Sequence, residues 1–227
     1  MVIKSLQRMV VVVRTLAIVS QKGGSGKTTI AVHMAVCAAL SKLKTAILDI
    51  DPQHNAYGWN ESRPEDRKLD AVAADASQLA ALLHQAETAG VNLAIIDTAP
   101  HSSGDAAIAA KLANLVLIPC RPARFDLDAI ASTLEITKAA NTPAVVVINA
   151  AMPRGSLAEE ARGTLTRQGA SVLTPVLHQR VAYSHAVIDG RSVHEYEPGG
   201  QAAAEITDLY NHITRLDGKT ERKAKAA

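Results

Sequence analysis

The sequence predicts an α/β protein with a mainly parallel, twisted sheet and helices on both of its faces. Short runs of Val, Ile, Leu and Ala alternate with longer segments of helical periodicity along most of the 227 residues. Several of these runs end in Asp or Asn, and a glycine-rich turn follows the first. Such alternation is typical of βαβ units, whose right-handed crossovers bring the strand ends to one edge of the sheet.

Seven strands are predicted from short apolar runs, over residues 10–20, 45–51, 69–72, 92–97, 115–119, 144–149 and 172–177. Helical periodicity predicts six helices, over residues 30–40, 77–87, 107–112, 126–139, 157–168 and 202–216. Segment 52–70 is polar and includes a mixed-charge run over residues 61–70. We expect the charged run, residues 61–70, to be a solvated loop, because the signs of its charges alternate.

The composition favours a single domain. The chain is 48% hydrophobic but only 3% aromatic, so its core must be built from aliphatic side chains. No Gly/Ser-rich or Pro-rich linker interrupts the pattern. We expect an N-terminal extension and the start of the first strand over 1–13, with residues 1–8 dispensable. The main domain follows over 14–216, and a basic, flexible tail over 217–227.

Charge and cysteine content narrow the functional classes. The formal net charge of +2 neither requires nor excludes a nucleic-acid partner. The only cysteines, Cys37 and Cys120, make no disulfide framework, which fits a reducing compartment. The apolar run 9–13 is too short for a membrane span and is followed by Arg14 rather than by a signal-peptide cleavage site. These features predict a cytoplasmic chain without a membrane partner.

The turn after the first strand has the composition of a phosphate-binding loop. Glycines let the backbone approach an anion closely, and the N-terminus of the following helix adds a favourable field. Lys27 would reach the β- and γ-phosphates, and the Thr28 hydroxyl would bind Mg²⁺. Thr29 would reach the α-phosphate. The residues of this motif are Gly23, Gly24, Ser25, Gly26, Lys27, Thr28 and Thr29.

Acidic residues follow two other predicted strands. Asp97 ends the run 93–97, which has the form of a Walker B strand, so we expect it to hold Mg²⁺ directly or through water. Asp49 and Asp51 end the second strand, and Asp51 is the best candidate for a carboxylate near the γ-phosphate. The alternative for such residues is a helix cap or a turn.

Taken together, these motifs resemble the ParA/MinD superfamily of deviant Walker A ATPases, and most closely its small ParA-type plasmid partition proteins. Residues 22–29 resemble the deviant Walker A motif, and residues 49–53 resemble the second nucleotide motif. Segments 96–100, 115–122, 179–183 and 202–206 resemble later parts of the family pattern. The resemblance spans approximately residues 14–216.

The resemblance implies roles for individual residues. Lys22 would reach across a dimer interface to the nucleotide of the other subunit. Asp51 would orient the attacking water, and Asp49 would assist the metal shell. The base would lie between Asn149 and the segment around Pro119 and Arg121, although Asn149 has an alternative role in bonding backbone at a strand end. The guanine-reading N-K-x-D motif is absent from the sequence, which favours ATP.

The function that the resemblance implies is a DNA partition ATPase. ATP and Mg²⁺ would join two copies into a homodimer that binds DNA without sequence preference over the nucleoid. A centromere-binding, ParB-type partner would then stimulate a hydrolysis that is slow without it. Basic residues near the C-terminus are the candidate DNA contacts: Arg180, Arg191, Arg215, Lys219, Arg222, Lys223 and Lys225.

Three alternatives stay open at the level of sequence. A MinD-like membrane-cycling ATPase needs an apolar face on its C-terminal helix, and residues 217–227 offer only alanines. A nitrogenase-reductase-like electron donor needs cysteines near the dimer axis, and the segment after Asp97 has none. Positioning of a cargo other than DNA is not separable from partition by the residues alone.

Overall fold

The structure is a computed structural model that describes residues 13–224, with side chains described for residues 13–216. Within this range seven strands form one sheet: β1 (Arg14–Ile18), β2 (Thr45–Asp49), β3 (Asp70–Ala73), β4 (Leu93–Asp97), β5 (Leu115–Cys120), β6 (Ala144–Ala151) and β7 (Val172–His178). All neighbouring pairs are parallel, in the order β3-β2-β4-β1-β5-β6-β7. The predicted fold class is confirmed.

Nine α-helices connect or follow these strands between residues 13 and 224. They are α1 (Lys27–Leu40), α2 (Asn55–Glu61), α3 (Leu79–Thr88), α4 (Ser103–Leu112), α5 (Arg124–Ala139), α6 (Leu157–Arg167), α7 (Val181–Ile188), α8 (Val193–Tyr196) and α9 (Gln201–Ala224). Single 3₁₀ turns cover Glu65–Arg67 and Ala76–Gln78. The expected N-terminal extension lies outside the described residues, apart from Val13.

The core consists of two apolar layers on opposite faces of the sheet. Alternate residues of each strand point to opposite faces, as the pleat requires. In β5, Leu115 and Leu117 pack with α1 and α9, whereas Val116 and Ile118 pack with α4, α5 and α6. Strands buried on both sides therefore read as continuous apolar runs, which is why the sequence predicted them well.

Three helices were missed because their sequences lack an amphipathic pattern. The seven residues of α2 include Gly58 and several polar side chains, and this helix lies in the polar segment for which no helix was predicted. Helix α7 exposes Val181 and Ile188, and α8 has only four residues. The expected end of the last helix at residue 216 is also wrong, since α9 continues to Ala224. The predicted tail is helical over most of its length.

Candidate nucleotide-binding site

The glycine-rich loop leaves the sheet at β1, which lies between β4 and β5. The loop ends at Gly26, and α1 begins at Lys27 with its N-terminus turned to the loop. Gly24 and Gly26 have φ angles of 69° and 95°, in the left-handed region that favours glycine. The loop is therefore built from backbone conformations that a side chain at these positions would oppose, and its amides precede a helix N-terminus.

The loop is tied to β6 by Asn149. The side-chain Nδ2 of Asn149 donates a hydrogen bond of 2.6 Å to the carbonyl oxygen of Ser25. A β-carbon placed on Gly26 would lie only 2.3 Å from this nitrogen, so glycine is required there for space as well as for its φ angle. The alternative expected for Asn149, a bond to backbone, is thus present in the structure. Its side chain also lines the cleft described below.

Lys27 lies at the base of the loop with its side chain buried. Its Nζ donates to the carbonyl oxygen of Ser20 at 3.3 Å. Burial lowers the pKa of this ammonium group, and the carboxylates of Asp97 and Asp51 oppose that shift. A buried cation with no ion pair among the described residues is well prepared to receive an anion, because a phosphate would supply a countercharge.

Asp97 stands at the end of β4 beside Asp49 at the end of β2, where the two are register partners. Asp97 is fully buried, and neither of its carboxylate oxygens has a hydrogen-bond partner among the described residues. Burial raises its pKa to about 7; the Thr28 hydroxyl and the charge of Lys27 lower the pKa, and the charges of Asp49 and Asp51 add to the rise. The buried Asp97 carboxylate, without a hydrogen-bond partner and next to the Thr28 hydroxyl, has the oxygen ligands that a divalent cation prefers.

Asp49 has a structural task that the sequence did not reveal. Its Oδ1 accepts from the backbone N–H of Asp51 at 3.1 Å, and its Oδ2 accepts from the N–H of Tyr57 at 2.9 Å. These bonds hold the turn after β2 against the first turn of α2. Burial raises the pKa of Asp49, and the same backbone N–H groups lower it. Each oxygen of Asp49 therefore accepts one backbone hydrogen bond and keeps a further lone pair.

Asp51 lies two residues beyond β2, on the same edge of the sheet. Its Oδ1 accepts from the backbone N–H of Gln53 at 2.9 Å, the turn-forming contact that was the sequence-level alternative. Its Oδ2 makes no such contact within the described part of the chain. The charge of Asp51 opposes the burial that lowers the pKa of Lys27 and adds to the burial that raises the pKa of Asp97.

Lys22 precedes the glycines and is half-buried. Its backbone N–H donates to the Ser20 hydroxyl at 3.3 Å, while its ammonium group forms no ion pair with the residues described here. The structure thus gives Lys22 no task within its own subunit.

A cleft of about 260 Å³ opens beside the loop. One wall comes from Gly26 and Thr29, and the floor from Arg121, Asn149 and Ala150. Ala150 has a φ of 52°, a conformation uncommon for alanine and often found at functional sites. Asn149 and Arg121, two of the three residues expected near the base, line this cleft.

Pro119 does not line this cleft, contrary to the sequence-based expectation. It lies inside β5, buried and paired in register with Val147, because the strand continues one residue beyond it. The opposite wall of the cleft was missed instead. It is formed by the end of β7 and the start of α7, with lining residues Leu177, His178, Gln179, Arg180, Tyr183 and Ser184.

The candidate DNA contacts are distributed unequally. Arg180 forms an ion pair with Glu205 at 2.6 Å in the cleft wall, and Arg191 pairs with Asp189 and stacks on Tyr196. Neither guanidinium group is free on an open surface. Arg215 is exposed on α9. Three further candidates, Lys219, Arg222 and Lys223, lie in the part of α9 whose side chains are not described, and Lys225 lies outside the described residues.

A buried ion pair connects the segment just after α2 with α8. Both terminal nitrogens of Arg63 contact Glu195, at 3.0 and 2.7 Å, and Arg63 also donates to the carbonyl oxygen of Gly190. The guanidinium lies over the Trp59 ring, 4.6 Å from its centroid. The expectation that the charges of residues 61–70 are solvated is thus wrong for Arg63, which is 5% exposed.

The other predicted classes can be compared with the structure. Cys37 belongs to one apolar layer and Cys120 to the other, so the sheet separates the two buried thiols. Among the described residues, no cluster of three or more His, Cys, Asp or Glu side chains is arranged to hold a metal. No helix in the described range is long and apolar enough to span a membrane.

Comparison with known proteins identifies the same loop-containing region. Residues 16–193 match the family model described as the CobQ/CobB/MinD/ParA nucleotide binding domain. The chain is 30% identical over 210 residues to maintenance of carboxysome distribution protein A from Halothiobacillus neapolitanus, covering 88% of this chain and 95% of that protein. It is 25% identical over 237 residues to the chromosome-partitioning ATPase Soj of Thermus thermophilus, covering 88% and 95%.

The fold has a close counterpart among solved structures. An ATP complex of a McdA variant from Cyanothece superposes with a TM-score of 0.72 at 17% sequence identity. The match covers 88% of this chain and 96% of that structure. At this level of identity the comparison supports the fold alone.

Proposed function

The chain belongs to the CobQ/CobB/MinD/ParA family and is a P-loop ATPase of the ParA/MinD type, and from this premise we propose that it is a nucleotide-controlled positioning switch. In the ATP state two copies form a homodimer that binds DNA, and hydrolysis releases them. The ATPase domain of this switch comprises residues 14–216. The observation that carries the proposal is the meeting of the glycine loop, buried Lys27 and unpartnered Asp97 at one edge of the sheet.

The nucleotide is proposed to occupy the loop and the adjoining cleft. Loop amides from Gly23 to Gly26 and the Lys27 ammonium would hold the β- and γ-phosphates, and Thr29 would face the α-phosphate. The base would enter the cleft lined by Asn149 and Arg121. Thr28 and Asp97 would hold Mg²⁺, with Asp49 behind them; the ion would neutralise charge on the phosphates.

Asp51 is proposed to position the water that attacks the γ-phosphate. It lies on the loop edge of the sheet, and its charge opposes the burial that lowers the pKa of Lys27. One of its oxygens is held by the N–H of Gln53, which fixes the carboxylate, and the other makes no hydrogen bond within the described range. A fixed carboxylate with one open oxygen suits the orientation of a water molecule.

Dimerisation is supported by features that one subunit leaves unexplained. Lys22 lies at the mouth of the loop without an ionic partner among the described residues. Phe125, Met152 and Val181 follow the ends of β5, β6 and β7 and are 77%, 60% and 68% exposed. These apolar side chains lie on the same edge of the sheet as the loop, and a second copy would cover them.

The cargo has two candidate classes. The alignment with a chromosome-partitioning ATPase favours DNA partition with a ParB-type partner. The alignment with a protein named for carboxysome distribution favours positioning of a protein compartment over nucleoid DNA. In either class we propose that the chain acts on the nucleoid in the cytoplasm, and the two classes differ in the adaptor that stimulates hydrolysis.

A sedimentation-velocity experiment with ATP, ADP and Mg²⁺ tests the switch. We expect a dimer with ATP and Mg²⁺ and a monomer with ADP. Duplex DNA of random sequence should bind only under the dimer conditions, with an affinity that falls steeply as salt is raised. A sedimentation coefficient that does not respond to nucleotide would refute the proposed function, whereas a dimer that ignores DNA would refute only its DNA-binding part.

A further inference from the structure

His178 occupies a special position in the wall of the cleft. It is the last residue of β7, and its ring lines the space beside Thr29 and Asn149. Its Nδ1 is 2.7 Å from Oε1 of Glu205 on α9. Its Nε2 makes no hydrogen bond with any residue described in the structure and is not sealed from solvent. Nδ1 is therefore hydrogen-bonded to Glu205, whereas Nε2 has no hydrogen-bond partner among the described residues.

Glu205 determines which nitrogen of His178 carries the proton. The carboxylate also accepts from the backbone N–H of His178 at 3.1 Å and from Nε and Nη2 of Arg180 at 3.0 and 2.6 Å. Although burial raises the pKa of Glu205, the hydrogen bonds from Arg180 and His178 outweigh it and leave the pKa below its ordinary value. Because an ionised carboxylate can only accept, Nδ1 of His178 must be the donor.

The remaining nitrogen is then an acceptor. Arg180 already forms an ion pair with Glu205, so the carboxylate does not depend on His178 for its countercharge. In a neutral ring protonated at Nδ1, Nε2 carries a lone pair. The other charged groups that line the cleft, Arg121 and Arg180, have only donors to offer.

We propose that Nε2 of His178 accepts a hydrogen bond from the 6-amino group of adenine, with Glu205 as the residue that fixes the ring. This inference rests on the proposed function and assigns base specificity to a particular atom. Adenine presents a donor at position 6, whereas guanine presents a carbonyl acceptor there. The lone pair on Nε2 can accept a hydrogen bond from the 6-amino group of adenine. The 6-carbonyl of guanine would face the same lone pair without a hydrogen bond, which disfavours GTP.

The inference is tested by titrating the full chain with ATP and with purine riboside 5′-triphosphate, which lacks the 6-amino group. At pH 8 we expect the native chain to bind ATP about fivefold more tightly, as one hydrogen bond would give. His178→Phe should reduce this ratio to about one while retaining both triphosphates through the loop. His178→Gln, which restores a carbonyl acceptor, should recover part of the preference.

Two further variants separate specificity from general damage. His185→Ala removes a histidine of α7 that contacts Tyr196 and does not line the cleft, so its ratio should equal that of the native chain. Glu205→Gln should lower the ratio without changing the contacts of the loop. If His178→Phe keeps the native ratio, or if the native chain binds both compounds equally, the inference is overturned. Failure of the native chain to bind either triphosphate would instead overturn the proposed function.

Discussion

Asn149 donates a 2.6 Å hydrogen bond from its Nδ2 to the carbonyl oxygen of Ser25, which joins the end of β6 to the glycine loop after β1. The two strands are not neighbours, since β5 lies between them. The bond therefore connects the phosphate-binding part of the site to the cleft across one intervening strand. The close approach depends on Gly26, the next residue in the loop.

Gly26→Ala should abolish nucleotide binding. Its β-carbon would lie 2.3 Å from Nδ2 of Asn149, and its φ of 95° is unfavourable for alanine, so the loop must move. We expect at least a tenfold loss of ATP affinity by calorimetry. Gly58→Ala in α2 is the matched control, because a β-carbon at that position would meet nothing within 4 Å, and it should stabilise the fold by up to about 1 kcal/mol. Native ATP affinity in Gly26→Ala would contradict the steric argument.

Alanine substitutions of Lys27 and Lys22 should impair two different properties, nucleotide binding and dimerisation. Lys27→Ala removes the buried cation at the loop base and should eliminate ATP binding. Lys22→Ala should leave ATP binding by the monomer within about twofold and abolish ATP-dependent dimerisation, since no contact in its own subunit depends on the ammonium group. Lys111→Ala, an exposed lysine of α4, serves as control. Sedimentation velocity and nucleotide titration distinguish the outcomes, and a normal dimer in Lys22→Ala would remove its proposed role.

Asp51→Ala should retain ATP and lose hydrolysis, which traps the dimer. Asp51→Asn keeps an oxygen that can accept from the N–H of Gln53 but removes the charge, so it separates the turn from the chemistry. Both variants should release phosphate at least 100-fold more slowly than the native chain if the carboxylate orders the attacking water, as is common for such groups. Asp66→Ala, an exposed aspartate, should be unaffected. Native turnover in Asp51→Asn would leave the residue with only its structural contact.

The buried His33 should make the folded chain less stable in acid. Burial lowers its pKa to about 3; the neighbouring His194 adds to this effect and Glu195 opposes it. Below about pH 6.5 the unfolded chain therefore binds a proton at His33 that the folded chain does not bind. The free energy of unfolding decreases as the pH is lowered through this range. Between pH 7 and pH 5 this contribution is about 2 kcal/mol.

Urea denaturation of His33→Gln at both pH values measures that contribution. Glutamine keeps an acceptor for the backbone N–H of Val193, which donates to Nδ1 of His33 at 3.3 Å, but it does not titrate. The variant should lose less stability than the native chain on acidification. His84→Gln, whose side chain is 81% exposed, should behave like the native chain. Equal acid sensitivity in His33→Gln and the native chain would assign the effect to other groups.

Glu195→Gln should destabilise the fold by about 3 kcal/mol, because it leaves the buried guanidinium of Arg63 without an ionic partner. The side chains of Arg63 and Glu195 are 2% and 13% exposed. Glu65→Gln breaks a surface pair with Lys68 and should cost less than about 1 kcal/mol. Thermal or chemical denaturation compares the two, and similar losses would argue that the buried pair is well solvated.

The sequence predicted the fold well because parallel strands buried on both faces are continuous apolar runs. It also located the glycine loop and the acidic strand ends, whose chemistry is local. It did not predict the wall made by β7 and α7, because Glu205 holds His178 and Arg180 from 25 or more residues away. Nor could it reveal that Arg63 is buried, since its partner Glu195 is 132 residues distant. In both cases the position of the side chain depends on a partner that is distant in the sequence.

The two borders of the sheet limit how copies of this chain can associate. β3 offers only four residues, two of them exposed, and β7 carries Pro175 within a stretch where its register with β6 shifts. A short strand and a proline both resist the addition of another strand. Growth by edge-to-edge extension of the sheet is therefore disfavoured. Any assembly would have to proceed through side-chain surfaces, which can be dissolved each time the bound nucleotide changes.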